Sequence, residues 1–384
     1  MKYMGNKGRI LPQITGVIGN LLSPSKRFVD LFSGSGIVSW SLSTQFRNEV
    51  WANDLQSFAR SRAAAVLERL EAPTKKHLLD WIGRAEEAIG RGLLRYPELD
   101  ISMDELCTVS SATQFVRLQR EIAPLVAKEM NHLRPVITNA YGGYYFSIQQ
   151  ALMIDALRSR LPRSPAARAV AMGALIGAVS RCAASPGHTA QPFQPTKTAT
   201  KWLLDAWRRN PKTYIEGEWQ LVESYEAKVP GKALVGDANS LIAQLDAADV
   251  AFIDPPYSGV HYSRFYHVLE TLNRGKMVEV GGRGRYPPPE ERPVSAFSKR
   301  AQSIAAMYQL LGEASKRGLR IVITFPISPK SNGLSADVIE SQARRFFRSV
   351  HISEVTSNFS TLGGNRSIRE ARKIQKEAVI AAYN

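Results

Sequence analysis

Seven short apolar runs separated by turn residues and helix-like stretches constrain this 384-residue sequence most strongly. We predict strands at Phe28 to Phe32, Val50 to Ala52, Ala233 to Val235, Val250 to Ile253, Arg320 to Phe325, Val350 to Val355 and Ala378 to Tyr383. Between them lie amphipathic patterns such as Ala296 to Gly318, where Ile304, Met307, Leu310 and Leu311 share one face and a glycine ends the run. Strands alternating with helices give an α/β fold, a doubly wound, mostly parallel seven-stranded sheet. In such a sheet ligands sit beyond the carboxyl ends of the strands.

The alternation is interrupted once at length. From Phe58 to about Lys228 the texture becomes helical and rich in Ala, Leu, Arg and Glu, which reads as a helical insertion. We expect three segments: 1–58, the first part of the core; 59–227, the insertion; and 228–384, the second part. A stretch from Asn273 to Pro293, rich in Gly, Arg and Pro, has no periodicity and predicts a long surface loop with room for a hairpin.

Charge narrows the partner class. Fifty Lys and Arg against 34 Asp and Glu leave a formal net charge of +16, which favours a polyanion, nucleic acid first. Two cysteines are too few for a disulfide framework or a thiolate metal site, and the six histidines have no ligand spacing, so no metal is expected. No apolar run approaches the ~18 residues that span a bilayer. The start MKYMGNKGRI lacks the apolar core of a signal peptide. The expectation is a cytoplasmic protein with no membrane partner.

The strand ends carry the chemistry. FVDLFSGSG, ending at Gly36, closes the first strand in a Gly-x-Gly turn; Gly34 and Gly36 let backbone approach a ligand and offer N–H groups at a helix start. Position 39 is Ser39, so the spacing is not G-x-G-x-x-G, which argues against NAD. Asp54, about twenty residues on, is placed to accept from both ribose hydroxyls of a nucleoside cofactor, or to cap a helix. Asp237, after the third strand, has the same two readings, with the cofactor's base as its target. Tyr3 offers a face for stacking and Lys7 a cation for a carboxylate.

The fourth strand ends in Asp254-Pro255-Pro256-Tyr257. Two prolines hold the exit extended and rigid, so the Asp254 carboxylate and a backbone carbonyl converge as acceptors, suited to an exocyclic amine with two N–H donors. The Tyr257 ring gives a planar base a stacking surface, worth roughly 1–3 kcal/mol. Beyond it, Tyr262 and Arg264 are candidate nucleic-acid contacts, as are His188 in the insertion and Asn365 and Arg366 after the sixth strand.

KYMGNK, FVDLFSGSG, the acid of ANDL, GDA and IDPPY, in that order, with the closing strand AVIAAYN, resemble the alpha-group, Dam-like DNA adenine methyltransferases. The resemblance spans nearly the whole chain, though its motifs occupy little of it. It implies a methyltransferase sheet, S-adenosyl-L-methionine as cofactor, and methyl transfer to the amino nitrogen of adenine in double-stranded DNA after base flipping. Implied cofactor residues are Tyr3, Lys7, Asp30, Phe32, Gly34, Gly36, Asp54, Asp237 and Asp254; implied catalytic residues are Asp254, Pro255, Pro256 and Tyr257. Neither cysteine has the setting that cytosine carbon-5 methylation requires. A monomer is expected, with a cognate restriction endonuclease left open as a partner. Methylation of RNA adenine, or a catalytically silent DNA-binding protein, stay open as alternatives.

Overall fold

The computed structural model describes the whole chain apart from Met4, Asn6, Arg91, Asp100, Ser102, Cys107, Pro329 and residues 361–371. It divides into two compact units. The first comprises residues 1–4, 71–224 and 264–292; the second, residues 5–70, 225–263 and 293–384.

The second unit holds one seven-stranded sheet: β1 (Phe28–Asp30), β2 (Val50–Asp54), β3 (Lys232–Val235), β4 (Val250–Ile253), β5 (Arg320–Pro326), β6 (Ser349–Ser360) and β7 (Arg372–Tyr383), in the spatial order β3-β2-β1-β4-β5-β7-β6. All seven predicted strands are present. Pairs among β1 to β5 are parallel, while β7 runs antiparallel between β5 and β6.

Both faces of the inner strands β1, β4 and β5 are covered, which explains why these strands read as continuous apolar runs. Alternate residues go to opposite sides. Val29, Ala251, Ile253, Ile321 and Ile323 pack on one face with Leu241, Leu310 and Ile339 from helices. Phe28, Val50, Phe252 and Val322 pack on the other with Ile14, Leu42 and Leu67.

Boundaries differ from the sequence expectation in two instructive places. β1 stops at Asp30 instead of Phe32, because the chain leaves the ladder for the glycine turn; Leu31 N–H still donates to the Phe252 carbonyl at 3.0 Å and Ser33 N–H to that of Asn53 at 2.8 Å. The predicted helix from Ala296 to Gly318 is a 3-10 turn, Ala296–Ser298, and then a helix, Ser303–Lys316. Ser295 caps the turn and buries Phe297, and Ile304, expected on the apolar face, is exposed.

The first unit is helical. Its principal helices are Lys75–Ile89, Val109–Glu129, Ile148–Ser159, Pro165–Cys182, Thr200–Trp207, Pro211–Glu223 and His267–Arg274. Trp81 and Trp219 meet with ring centroids 6.2 Å apart, and the Trp81 indole N–H donates to the Leu157 carbonyl at 2.8 Å. Within Asn273 to Pro293 an antiparallel bridge pairs Gly281 with Tyr286. Among the described residues no helix is long and apolar enough to cross a membrane, and no three His, Cys, Asp or Glu side chains group as metal ligands.

Candidate active site

Strand order reverses between β1 and β4, and the crevice at such a switch point, beyond the strands' carboxyl ends, is where doubly wound sheets take ligands. Register brings the predicted residues there. Asp30, the last residue of β1, pairs with Ala52 and Phe252; Asp54 ends β2; Asp254 directly follows β4.

The glycine turn is built by backbone geometry. Gly34 and Gly36 have φ of 49° and 80°, values that side-chain-bearing residues adopt only at a cost. Their amides are engaged within the protein: Gly34 N–H donates to Asp54 Oδ2 at 2.9 Å, and Gly36 N–H to the Ser33 carbonyl at 2.8 Å. In this arrangement both glycines shape the turn, and Gly34 orients Asp54. Gln56 N–H donates to the other Asp54 oxygen, Oδ1, at 2.9 Å, so the carboxylate is oriented through both oxygens. Asp237 caps the short helix Ala238–Ile242 by accepting from Ser240 N–H at 3.1 Å.

Asp30 accepts from the Ser39 hydroxyl at 2.7 Å, which gives the departure from a glycine at that position a structural use. Burial pushes the Asp30 carboxyl up to about 7, with the charges of Asp254 and Asp54 adding to the rise. Three carboxyl groups thus share one strand-end region. Among the described residues the buried Ser33 hydroxyl has no hydrogen-bond partner, and Phe32 meets Phe297 edge to face at 5.1 Å. Carboxyl groups and an unpaired hydroxyl at one strand-end site fit a polar ligand with hydrogen-bond donors, as the ribose of S-adenosylmethionine has.

At the exit of β4, Asp254 Oδ1 takes two donors: Lys7 Nζ and Thr324 Oγ1, each at 3.0 Å. No described residue donates to Oδ2. Lys7 is 3% exposed and also pairs with Glu377 Oε2 at 3.0 Å; Glu377 is fully buried on β7. Burial alone works to discharge Lys7, but the two carboxylates outweigh it and the ammonium is held charged. Burial pushes the Asp254 carboxyl up to about 6; Lys7 opposes the rise and Glu377 adds to it.

The Pro-Pro loop is tied down by Asn332, whose Nδ2 donates to the Pro256 carbonyl at 2.7 Å and to that of Phe297 at 3.0 Å. The Pro255 carbonyl accepts from no described residue. Tyr262 and Phe325 meet the Tyr257 ring at 86° and 90° and hold its orientation.

Residues 3–87 and 115–288, more than half of the chain, match the model of the D12 class N6 adenine-specific DNA methyltransferases. The chain belongs to this family. Among similar proteins are Modification methylase StsI of Streptococcus sanguinis, 23% identical over 73% of this chain and 37% of that protein, and Modification methylase LlaI of Lactococcus lactis subsp. lactis, 24% identical over 100% and 55%. Type II methyltransferase M.FokI of Planomicrobium okeanokoites is 26% identical over 74% of this chain and 38% of its own. The chain spans about half or less of the length of these curated relatives. Its seven-stranded sheet is that of a methyltransferase fold.

The other candidates of this D12-family chain have contacts of their own. Tyr3 belongs to the helical unit, where its ring stacks on Tyr266 at 4.6 Å and 10°. His188, in the same unit, lies against Phe265 at 4.6 Å, and burial lowers its pKa. The Arg264 guanidinium sits over the Tyr286 ring at 4.7 Å. Asn365 and Arg366 fall outside the described residues. Sequence reasoning missed Glu377, Thr324, Asn332 and Asn53, whose amide links the Leu31 and Gly236 carbonyls at 3.2 and 3.0 Å. The one signal for Glu377 was an acid at the head of an apolar strand.

Proposed function

We propose that this chain transfers a methyl group from S-adenosyl-L-methionine to the exocyclic amino nitrogen of adenine in double-stranded DNA, acting on a base flipped out of the duplex. One observation carries the reading. Asp254 Oδ1 is occupied by Lys7 and Thr324, so Oδ2 is the acceptor left over, next to the unengaged Pro255 carbonyl on a loop that Asn332 makes rigid. Two acceptors at a stiff strand exit match the two N–H donors of an adenine amine.

The bound cofactor would supply an electrophilic methyl on a sulfonium. Asp54, oriented by the Gly34 and Gln56 amides, would take the ribose hydroxyls. Asp30, Asp54 and Asp254 together favour a cation in the crevice. Asp254 and Pro255 would hold the amine so that its lone pair faces the methyl group, making positioning and electrostatics the main source of rate. Lys7, already shared by two protein carboxylates, would position Asp254. Tyr257 would stack on the extruded base and offset part of the few kcal/mol that flipping costs.

The net charge and the family support nucleic acid as substrate, and the relatives' names suggest a modification enzyme paired with a restriction endonuclease. The assay is incubation with methyl-labelled cofactor and duplex DNA, followed by nucleoside chromatography. Label in N6-methyladenine that survives ribonuclease and is lost to deoxyribonuclease is the expected result. Label in RNA alone would move the substrate, and none in any adenine would end the enzymatic reading.

A further inference from the structure

The helical unit contains a cavity of about 620 Å³ lined by Arg120, Tyr144, Gln191, Pro192, Gln194, Gly282 and Arg283, with no acidic residue among them. Its floor is fixed. The Arg120 guanidinium lies 4.2 Å from the centre of the Tyr144 ring, donates from Nε to the Gly143 carbonyl at 3.0 Å, and from Nη2 to Gln194 Oε1 at 3.0 Å. Arg285 approaches the same ring at 4.4 Å and donates to the Ala140 carbonyl at 2.9 Å. Burial lowers the Arg120 pKa and the Arg285 charge adds to the fall, and among the described residues neither arginine has an ion-pair partner.

The walls are pinned together. Tyr145 Oη lies 2.6 Å from the Thr189 carbonyl oxygen and 2.9 Å from that of Gly284, joining the 188–194 loop to the Gly281–Tyr286 turn. The Tyr286 hydroxyl donates to the Ala190 carbonyl, and backbone bonds of 3.0 and 2.9 Å close Gly281 on Tyr286. Arg283 stands at the tip of this turn. It and Gln191 are exposed, and neither has a hydrogen-bond or ion-pair partner among the described residues.

We propose that this cavity reads the DNA sequence around the target adenine, with Arg283 and Gln191 contacting the edges of purine bases from a floor held by Arg120, Tyr144 and Arg285. The inference rests on the DNA-methylation reading and deepens it. A guanidinium fork matches guanine O6 and N7, and a glutamine amide matches adenine N6 and N7, whereas an ammonium offers a point charge that suits phosphate. The rigid cation-π floor lets two unengaged side chains be presented at little ordering cost.

The experiment selects duplexes from a randomised library by binding and, in parallel, maps methylated sites, for the wild type and for Arg283→Lys, Arg283→Ala and Gln191→Ala. The expected result is that Arg283→Lys loses preference at one base position while keeping its salt dependence, and that each alanine variant weakens the selected site about 5- to 150-fold, the range for one lost bidentate contact. Unchanged consensus sequences in the variants, or an equal loss on all sequences, would overturn base reading. A wild type with no binding preference would overturn it too. Because the binding arm needs no methyl transfer, a chain that selects sequences but methylates none would refute the enzymatic reading while leaving this one standing.

Discussion

Glu377 Oε2 lies 3.0 Å from Lys7 Nζ, and the opposite side of the same ammonium meets Asp254 Oδ1 at the same distance. One cation therefore serves two carboxylates, one fully and one partly buried. The β7 carboxylate touches no proposed reactant, yet it sets how strongly Lys7 holds Asp254.

Replacing Asp254 by alanine is expected to remove about 10²–10³-fold in turnover, the usual cost of one transition-state hydrogen-bonding group. The fold should persist because Lys7 keeps Glu377 as its partner. Thermal unfolding and single-turnover methylation on the same preparation check both halves. Wild-type turnover in this variant would refute the role of Asp254.

Turnover should have an acid limb near pH 6. Above that value Asp254 is ionised and both oxygens accept; below it a proton sits on the oxygen meant for the amine. Glu377 raises the Asp254 pKa, so Glu377→Gln should carry the limb to lower pH. Removing Lys7, which lowers it, should carry the limb upward. A pH–rate profile of the three proteins decides, and limbs that coincide would count against the coupling.

Lys7→Ala has a second consequence. It leaves Asp254 and Glu377 facing each other without their shared cation, and breaking a buried ion pair costs about 3–5 kcal/mol. Denaturant unfolding at pH 8 should show a loss of that size. Lys7→Ala combined with Glu377→Gln should recover part of it.

Gly5 has φ of 78°, and a methyl group placed on it would lie 2.3 Å from Tyr257 Oη. Gly5→Ala should displace the tyrosine ring and lower turnover on duplex DNA more than cofactor affinity, measured by calorimetry. Equal effects on both would place Tyr257 on the cofactor side of the site.

The sheet was legible because its inner strands are buried on both faces and stand out as apolar runs, and the strand-end acids Asp30, Asp54 and Asp254 follow from where those runs stop. What stayed hidden depends on contacts distant in sequence. Glu377 reads as a surface acid until β7 pairs with β5 and sets it opposite Pro326. The engagement of the Gly34 amide by Asp54 likewise arises only when β1 and β2 align. Arg264–Arg292 clusters with the helices, and nothing in its local composition signals that.

The antiparallel placement of β7 also has a temporal side. The Lys7–Glu377 contact joins positions 370 apart, and such long-range closure comes late in folding. A chain still threading its final strand would carry the Asp-Pro-Pro-Tyr loop but not the anchor behind it. The pH response proposed for Asp254 is thereby set only once β7 has joined the sheet.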